Sequence, residues 1–267
     1  MSARQRRANK ERFLKIMIAG APKAGNVWLK HLLADLYNLP MVDVSGLVDP
    51  RVALEGDRFI THQHIRPRRD FLGWGAREGV QFITMSRHPG DLFLSLFHYV
   101  QNYGEAWRKA GILGQAPSHG LLGEPLDGQA VFNYLAGPFF EECLQKTCQW
   151  LQSGEAIFVR YEDLHENGQF ILEGLAEKLE PASPENIAKT ISKHSFQRMK
   201  RFAGRKMKRH FRTGKVGDWA PQLNERHLTA IRESHGSALD ILGYSLDPEL
   251  VPSQPEPESS SIWQKLF

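Results

Sequence analysis

The sequence predicts an α/β fold of three layers, helix, central parallel sheet and helix, and three observations lead there. Short runs that are apolar on both faces recur along the chain, as buried parallel strands require. Helical apolar periods separate those runs, the alternation expected of a parallel sheet with crossover helices. The first run also leads directly into a glycine-containing turn that opens a helix, an arrangement that aims free amides at an anion.

The expected strands are LKIMIA at 14–19, RFIT at 58–61, VQFITM at 80–85 and AIFVRY at 156–161. Helical periods cover 27–37, 91–103, 130–151 with a break near Gly137-Pro138, and 170–179. Residues 105–128 are rich in Gly and Pro without a period, which predicts a long irregular loop. Beyond Pro184 the pattern is helical, with 204–219 between helices.

A chain of 267 residues, 41% hydrophobic and 24% charged, can bury a sizeable core. No Pro/Gly/Ser-rich linker interrupts it before its end, so the expected organisation is a basic segment 1–13, one domain 14–250 and an extended acidic tail 251–267. Its apolar stretches fall far short of the roughly 20 residues that cross a bilayer. The start, MSARQRRANKERFLKI, lacks the apolar region of a signal peptide. A cytoplasmic protein with no membrane span is expected. Cys143 and Cys148 fit neither a zinc spacing nor a CxxC pair, so they read as reduced and structural. The net charge of +4 is concentrated at 4–12, 66–69 and 200–215, and such clusters attract anions: nucleic acid, a membrane surface or a small polyphosphate. No self-complementary surface pattern decides between a monomer and a homodimer.

Motifs narrow the choice. In AGAPKAGNVWLKHLL, Gly20 and Gly25 permit a tight turn, Pro22 stiffens it, and Lys23 brings an ammonium to the anion that the helix beginning near Asn26 would hold. A nucleotide triphosphatase loop would read GxxxxGK and then Ser or Thr for magnesium. Here Lys23 precedes the glycine and Asn26-Val27 supply no hydroxyl, which disfavours metal-dependent ATP chemistry. Taken alone, the turn also fits an ordinary strand-to-helix connection with a surface lysine. The third strand ends in SRHPGDLFLSLFHY, placing Arg87 at the strand edge where ligands bind in parallel sheets, with Ser95 on the following helix. An arginine fork suits phosphate. FVRYEDL puts Tyr161 on the same edge, and FRTGKVGDW offers Arg212, Gly214, Lys215 and Gly217 as a second phosphate loop that Asp218 and Trp219 would fasten.

In order and in spacing these pieces resemble the sulfotransferases that use 3'-phosphoadenosine-5'-phosphosulfate (PAPS). That family's first loop, PKSGTTW, stands here as PKAGNVW; its arginine, seven residues and serine stand as Arg87 and Ser95; its tyrosine before EDL stands as Tyr161; and its RKGxxGDW stands at 212–219 with Thr213 in place of lysine. The resemblance implies a P-loop nucleotide-kinase-like sheet, PAPS as co-substrate without a metal, and a small-molecule acceptor rather than nucleic acid. It also implies roles. Lys23 and the amides of Ala24, Gly25, Asn26 and Val27 would take the 5'-phosphosulfate, and Trp28 would stack near the adenine. Arg87, Ser95, Arg212, Thr213 and Gly214 would hold the 3'-phosphate, and Tyr161 would approach the nucleoside. HSFQRM resembles the family's TSFxxM, so Ser195 and Phe196 would line the adenine site; a core position fits Phe196 equally well.

An acceptor hydroxyl needs a base, and an imidazole with an ordinary pKa of about 6.5 can act near neutral pH. The candidates are His62 and His64 in RFITHQHIRP. The strand pattern favours His62, while the IRP that follows and the distance to Arg87 favour His64, which is the preferred assignment. His62 then occupies a position where many relatives carry lysine. Two histidines at i and i+2 also suit a metal, but no third ligand is evident nearby. Two other readings remain at this stage: a nucleoside or nucleotide kinase, which would need an acidic residue where the third strand runs into Ser86-Arg87, and a basic nucleic-acid binder with no use for His64.

Overall fold

The computed structural model describes residues 13–195, 198, 201 and 214–248. Strands β1 (Leu14–Ala19), β2 (Arg58–Gln63), β3 (Val80–Ser86) and β4 (Ala156–Arg160) form one sheet in the order β2-β1-β3-β4, every adjacent pair parallel. Side chains alternate across the central strand. Ile16 and Ile18 join one apolar cluster with Leu29, Leu32 and Phe93, whereas Met17 and Ala19 join a second with Phe71, Phe82 and Trp150. Both faces are therefore covered, which is why the strand sequences are continuously apolar.

The helices are α1 (Asn26–Leu36), α2 (Arg69–Glu78), α3 (Pro89–Lys109), α4 (Gln129–Leu135), α5 (Pro138–Ser153), α6 (Tyr161–Glu166), α7 (Gly168–Lys178), α8 (Pro184–Lys193) and α9 (Glu225–Leu242). Local chemistry sets several ends. Pro138 opens α5 from the first-turn position that suits its missing N–H, and Gly154 closes it in the left-handed conformation, φ 69°. Pro89 opens α3 in the same manner, while His88 caps it by accepting from the Gly90 amide through Nδ1 at 3.2 Å.

The structure departs from expectation in four places. β2 runs two residues past Thr61 and takes His62 into the strand. α3 continues through the first five residues of the expected loop, because Tyr99, Tyr103 and Trp107 extend its aromatic stripe at helical spacing, and a 3₁₀ turn at Pro117–Leu121 folds part of the remainder. α2 was not expected; Phe71 buries it against Phe82, and Gly75 lets the same phenyl ring approach, since a Cβ there would lie 2.4 Å from it. Tyr161 starts α6 and does not end β4.

Cys143 and Cys148 are buried free thiols. Among the described residues no helix is long and apolar enough to cross a membrane. The basic cluster at 4–12, most of that at 200–215, and the tail lie outside the described residues.

Because all four strands are parallel, their C-terminal ends share one edge. The residues that follow those ends are Gly20, His64, Arg87 and Tyr161. The fold brings together four positions spread over about half the sequence.

Candidate functional site

The turn between β1 and α1 is shaped by three residues with positive φ: Gly20 at 148°, Lys23 at 67° and Gly25 at 106°. A side chain at Gly25 would be strained at that angle, and its Cβ would lie 2.6 Å from Tyr161 Cδ2. Lys23 pays for its left-handed conformation with about 1–2 kcal/mol. Strain of this kind persists where the surroundings fix it. Here Asn26 Nδ2 donates to the Ala21 carbonyl at 2.8 Å, and the Ala21 amide donates at 3.1 Å to Thr147 Oγ1, which itself donates to Met85 O. Thr147 on α5 thus ties the turn to the end of β3, a link between distant segments that no local pattern signals. No side chain caps α1 at Gly25, so its first amides remain available to a ligand.

Lys23, Arg87 and Tyr161 meet in the cleft above this edge, whose volume is about 1640 Å3. The Arg87 guanidinium lies 4.3 Å from the centre of the Tyr161 ring and donates to the Lys215 carbonyl at 3.3 Å. Arg87 is 7% exposed, and its Nε has no hydrogen-bond partner among the described residues. An unpartnered buried N–H on a cation is costly unless an anion meets it. Burial, and then the charge of Arg87, lower the Lys23 ammonium to about 7. Lys23 Nζ stands 4.3 Å over the Tyr99 ring.

Trp28 packs edge-on against Tyr161 at 5.6 Å and donates its indole N–H to the His194 carbonyl at 3.0 Å. Ser95, Ser195, Val27 and Gly214 also line the cleft, and Ala24 is buried beneath the turn. Tyr161 donates its hydroxyl to the Gly214 carbonyl at 3.3 Å, which joins the edge to the C-terminal loop. Phe196, Arg212 and Thr213 lie outside the described residues.

Asp91 fastens that loop. Its carboxylate, fully buried, accepts from the amides of Gly217 at 2.8 Å and Trp219 at 3.0 Å. Trp219 stacks on His88 at 4.4 Å with the rings 6° apart. Trp219 is therefore a fastener, as its sequence position suggested, but its main partner was missed: Asp91 has no signal of its own beyond an acidic residue in a first helical turn. Glu162 completes the support by accepting from the His88 amide and the Tyr244 hydroxyl, each at 2.8 Å.

The two histidines differ in their neighbours. His64 Nδ1 lies 3.1 Å from the Gly20 carbonyl. A carbonyl only accepts, so the neutral ring carries its proton on Nδ1 and keeps Nε2 as an acceptor. Protein surrounds this ring, although more than a third of the residue remains open to solvent. That enclosure is the largest influence on its pKa; Lys146 and Lys23 add to it and the Gly20 carbonyl opposes it, giving a downward shift toward about 4 that water at the exposed edge tempers. The downward shift keeps the His64 imidazole neutral at pH 7. His62 sits opposite Ile18 within the sheet, 5.8 Å from the His64 ring, and its charge bears on Asp43. Both line the cleft. Among the described residues there is no group of three or more His, Cys, Asp or Glu side chains placed to hold a metal ion.

Comparison with known proteins places the chain among relatives. The chain is 26% identical over 261 residues to cytosolic sulfotransferase 15 of Arabidopsis thaliana, covering 78% of this chain and 67% of that one. It is 28% identical over 204 residues to cytosolic sulfotransferase 14 of the same species, covering 70% of this chain and 53% of the relative, so it spans about half the length of the latter. Its fold is similar to that of mouse sulfotransferase SULT7A1 complexed with PAP, with a TM-score of 0.63, 17% identity and coverage of 91% and 94%. It is also similar to retinol dehydratase in complex with androsterone and inactive cofactor PAP, with a TM-score of 0.59, 15% identity and coverage of 84% and 80%. The family model described as "Sulfotransferase domain" matches residues 76–243, well over half of the chain, and the protein belongs to that family.

Proposed function

We propose that the protein transfers a sulfuryl group from PAPS to a hydroxyl or amine of a small-molecule acceptor in the cytoplasm. The observation that carries this reading is a pair of cations on one sheet edge, Lys23, half-buried in the strained turn, and Arg87, buried with its unpartnered Nε. Two cations in one cleft suit a nucleotide that carries more than one phosphate. The residues fit such a donor. Lys23 and the amides of Ala24, Gly25, Asn26 and Val27 take the 5' end, while Arg87, Ser95, Gly214, Arg212 and Thr213 take the 3'-phosphate. Trp28, Ser195 and Phe196 flank the adenine, and Tyr161 supports Arg87 beside the nucleoside.

When bound, PAPS supplies the sulfuryl group, with adenosine 3',5'-bisphosphate (PAP) as its leaving group. His64 Nε2 takes the proton of the acceptor hydroxyl as the new oxygen–sulfur bond forms. The bond from sulfur to the phosphate oxygen breaks, the electron pair goes to that oxygen, and Lys23 offsets the charge that develops there. Positioning supplies much of the remaining acceleration, and no step in this scheme requires a metal.

Sulfur-labelled PAPS incubated with a panel of hydroxyl and amine acceptors tests the reading. Labelled product and PAP should form in equal amounts. His64→Ala should lower kcat by about a hundredfold or more while PAP affinity changes little. A His64→Ala enzyme with wild-type kcat would remove the base from the scheme, and absence of transfer to every acceptor would contradict the activity.

A further inference from the structure

α5 brings a second set of charges to the cleft. Lys146 lies one residue before Thr147, the residue that holds the first turn, and lines the cleft near His64. Its Nζ is 2.8 Å from Glu142 Oε1 and 3.5 Å from the Glu142 carbonyl. Arg66, just after His64, binds the same carboxylate through Nε at 3.2 Å and through Nη2. Among the described residues Glu142 is the one carboxylate in ion-pair contact with either cation. Two cations thus share a single counterion, leaving one positive charge in excess.

An ordinary i, i+4 pair on a helix surface would be solvated and would need no arginine. Here the Lys146 side chain is only 15% exposed. Burying an ammonium with half a counterion is costly, and an incoming anion offsets that cost. A monoanion neutralises the single excess charge, whereas a dianion would overshoot it.

Across the same cleft, α3 presents Tyr99, Tyr103 and Trp107. Neighbouring rings are 4.5 and 5.9 Å apart, and the row starts at Tyr99 beside Lys23. Such a row suits the face of an aromatic body.

We infer that Lys146, which shares Glu142 with Arg66, forms a subsite for a carboxylate on the acceptor, so that the preferred acceptors are aromatic hydroxy acids. The inference rests on the sulfotransferase reading above and adds to it the class of acceptor. The acceptor hydroxyl reaches His64, its ring lies along the tyrosines, and its carboxylate meets Lys146.

The test measures kcat/KM with PAPS for three acceptors that share one body: 4-hydroxyphenylacetate, 4-hydroxyphenylacetamide and tyramine. The acid should exceed the amide by about tenfold, as expected for a hydrogen bond to a charged group, and the amine should be poorest. Lys146→Met should bring the acid-to-amide ratio toward one, and Glu142→Gln, which frees both cations, should raise it. A purely structural role for Lys146 would lower both substrates together and leave the ratio intact, which would overturn the inference. An amide turned over as well as the acid by the wild-type protein would also overturn it, as would a ratio unmoved by Glu142→Gln, an arm that holds even if Lys146→Met does not fold. If none of the three is sulfated while PAP still binds, the acceptor class is wrong and the donor reading stands. If PAP itself fails to bind, the donor reading falls first and takes the inference with it.

Discussion

Lys23 is where burial and chemistry meet most closely. Its ammonium is brought down to about 7 by burial and by Arg87, so near neutral pH it exchanges readily between charged and neutral forms. A phosphate docking against it favours the charged form and raises its pKa. Binding must then take up a proton at and above pH 7, and the lysine's contribution to affinity, complete below about 7, is lost as pH rises through the higher pKa of the complex. Calorimetry of PAP binding at pH 7.5 in buffers of different ionisation enthalpy should show that uptake, and Lys23→Met should abolish it. Equal heats in all buffers for the wild type would contradict the account. At this scale much of the site was legible. Gly20, Lys23, Gly25, Arg87 and Tyr161 stand in local patterns whose chemistry can be read, but Thr147 and Asp91 act on residues 62 or more positions away, and no local pattern reports such a partner.

Among the elements, the loop at 214–219 depends on the first turn of α3. Asp91 holds two of its amides from a buried position, and burial raises its carboxyl despite those hydrogen bonds and Arg87. Asp91→Ala should destabilise the protein by about 2–4 kcal/mol, since two bonds to a charged acceptor are lost and two donors are left without it. It should also weaken PAP binding about tenfold through the loop that carries Gly214. Denaturant unfolding and PAP titration of the same variant check both; a destabilised variant with unchanged PAP affinity would separate the loop from the donor site. The strands were legible because both faces of the sheet are covered. α2 was not, since Gly73 and Gly75 and its charged ends weaken its apolar period, and its packing into the cluster with Phe82 and Trp150 is a tertiary contact. α3 outran its expected end because its outer half is stabilised by aromatic contacts facing the cleft.

For the whole molecule, the sheet order is the decisive fact, and sequence patterns alone did not reveal it. The order β2-β1-β3-β4 places β1 at the centre, so that the turn after it lies between His64 from β2 and Arg87 from β3. One edge then presents His64, the strained turn with Lys23 and Arg87 to the same cleft, and the proposed donor, with phosphate at both ends, rests on that arrangement. Calorimetric titration of the wild type and Arg87→Ala with PAP and with ATP tests this most directly. The account predicts that the wild type binds PAP more tightly than ATP and that Arg87→Ala weakens PAP by at least about tenfold, the cost of losing a charged hydrogen-bond partner. ATP bound as tightly as PAP, or PAP affinity indifferent to Arg87, would contradict it.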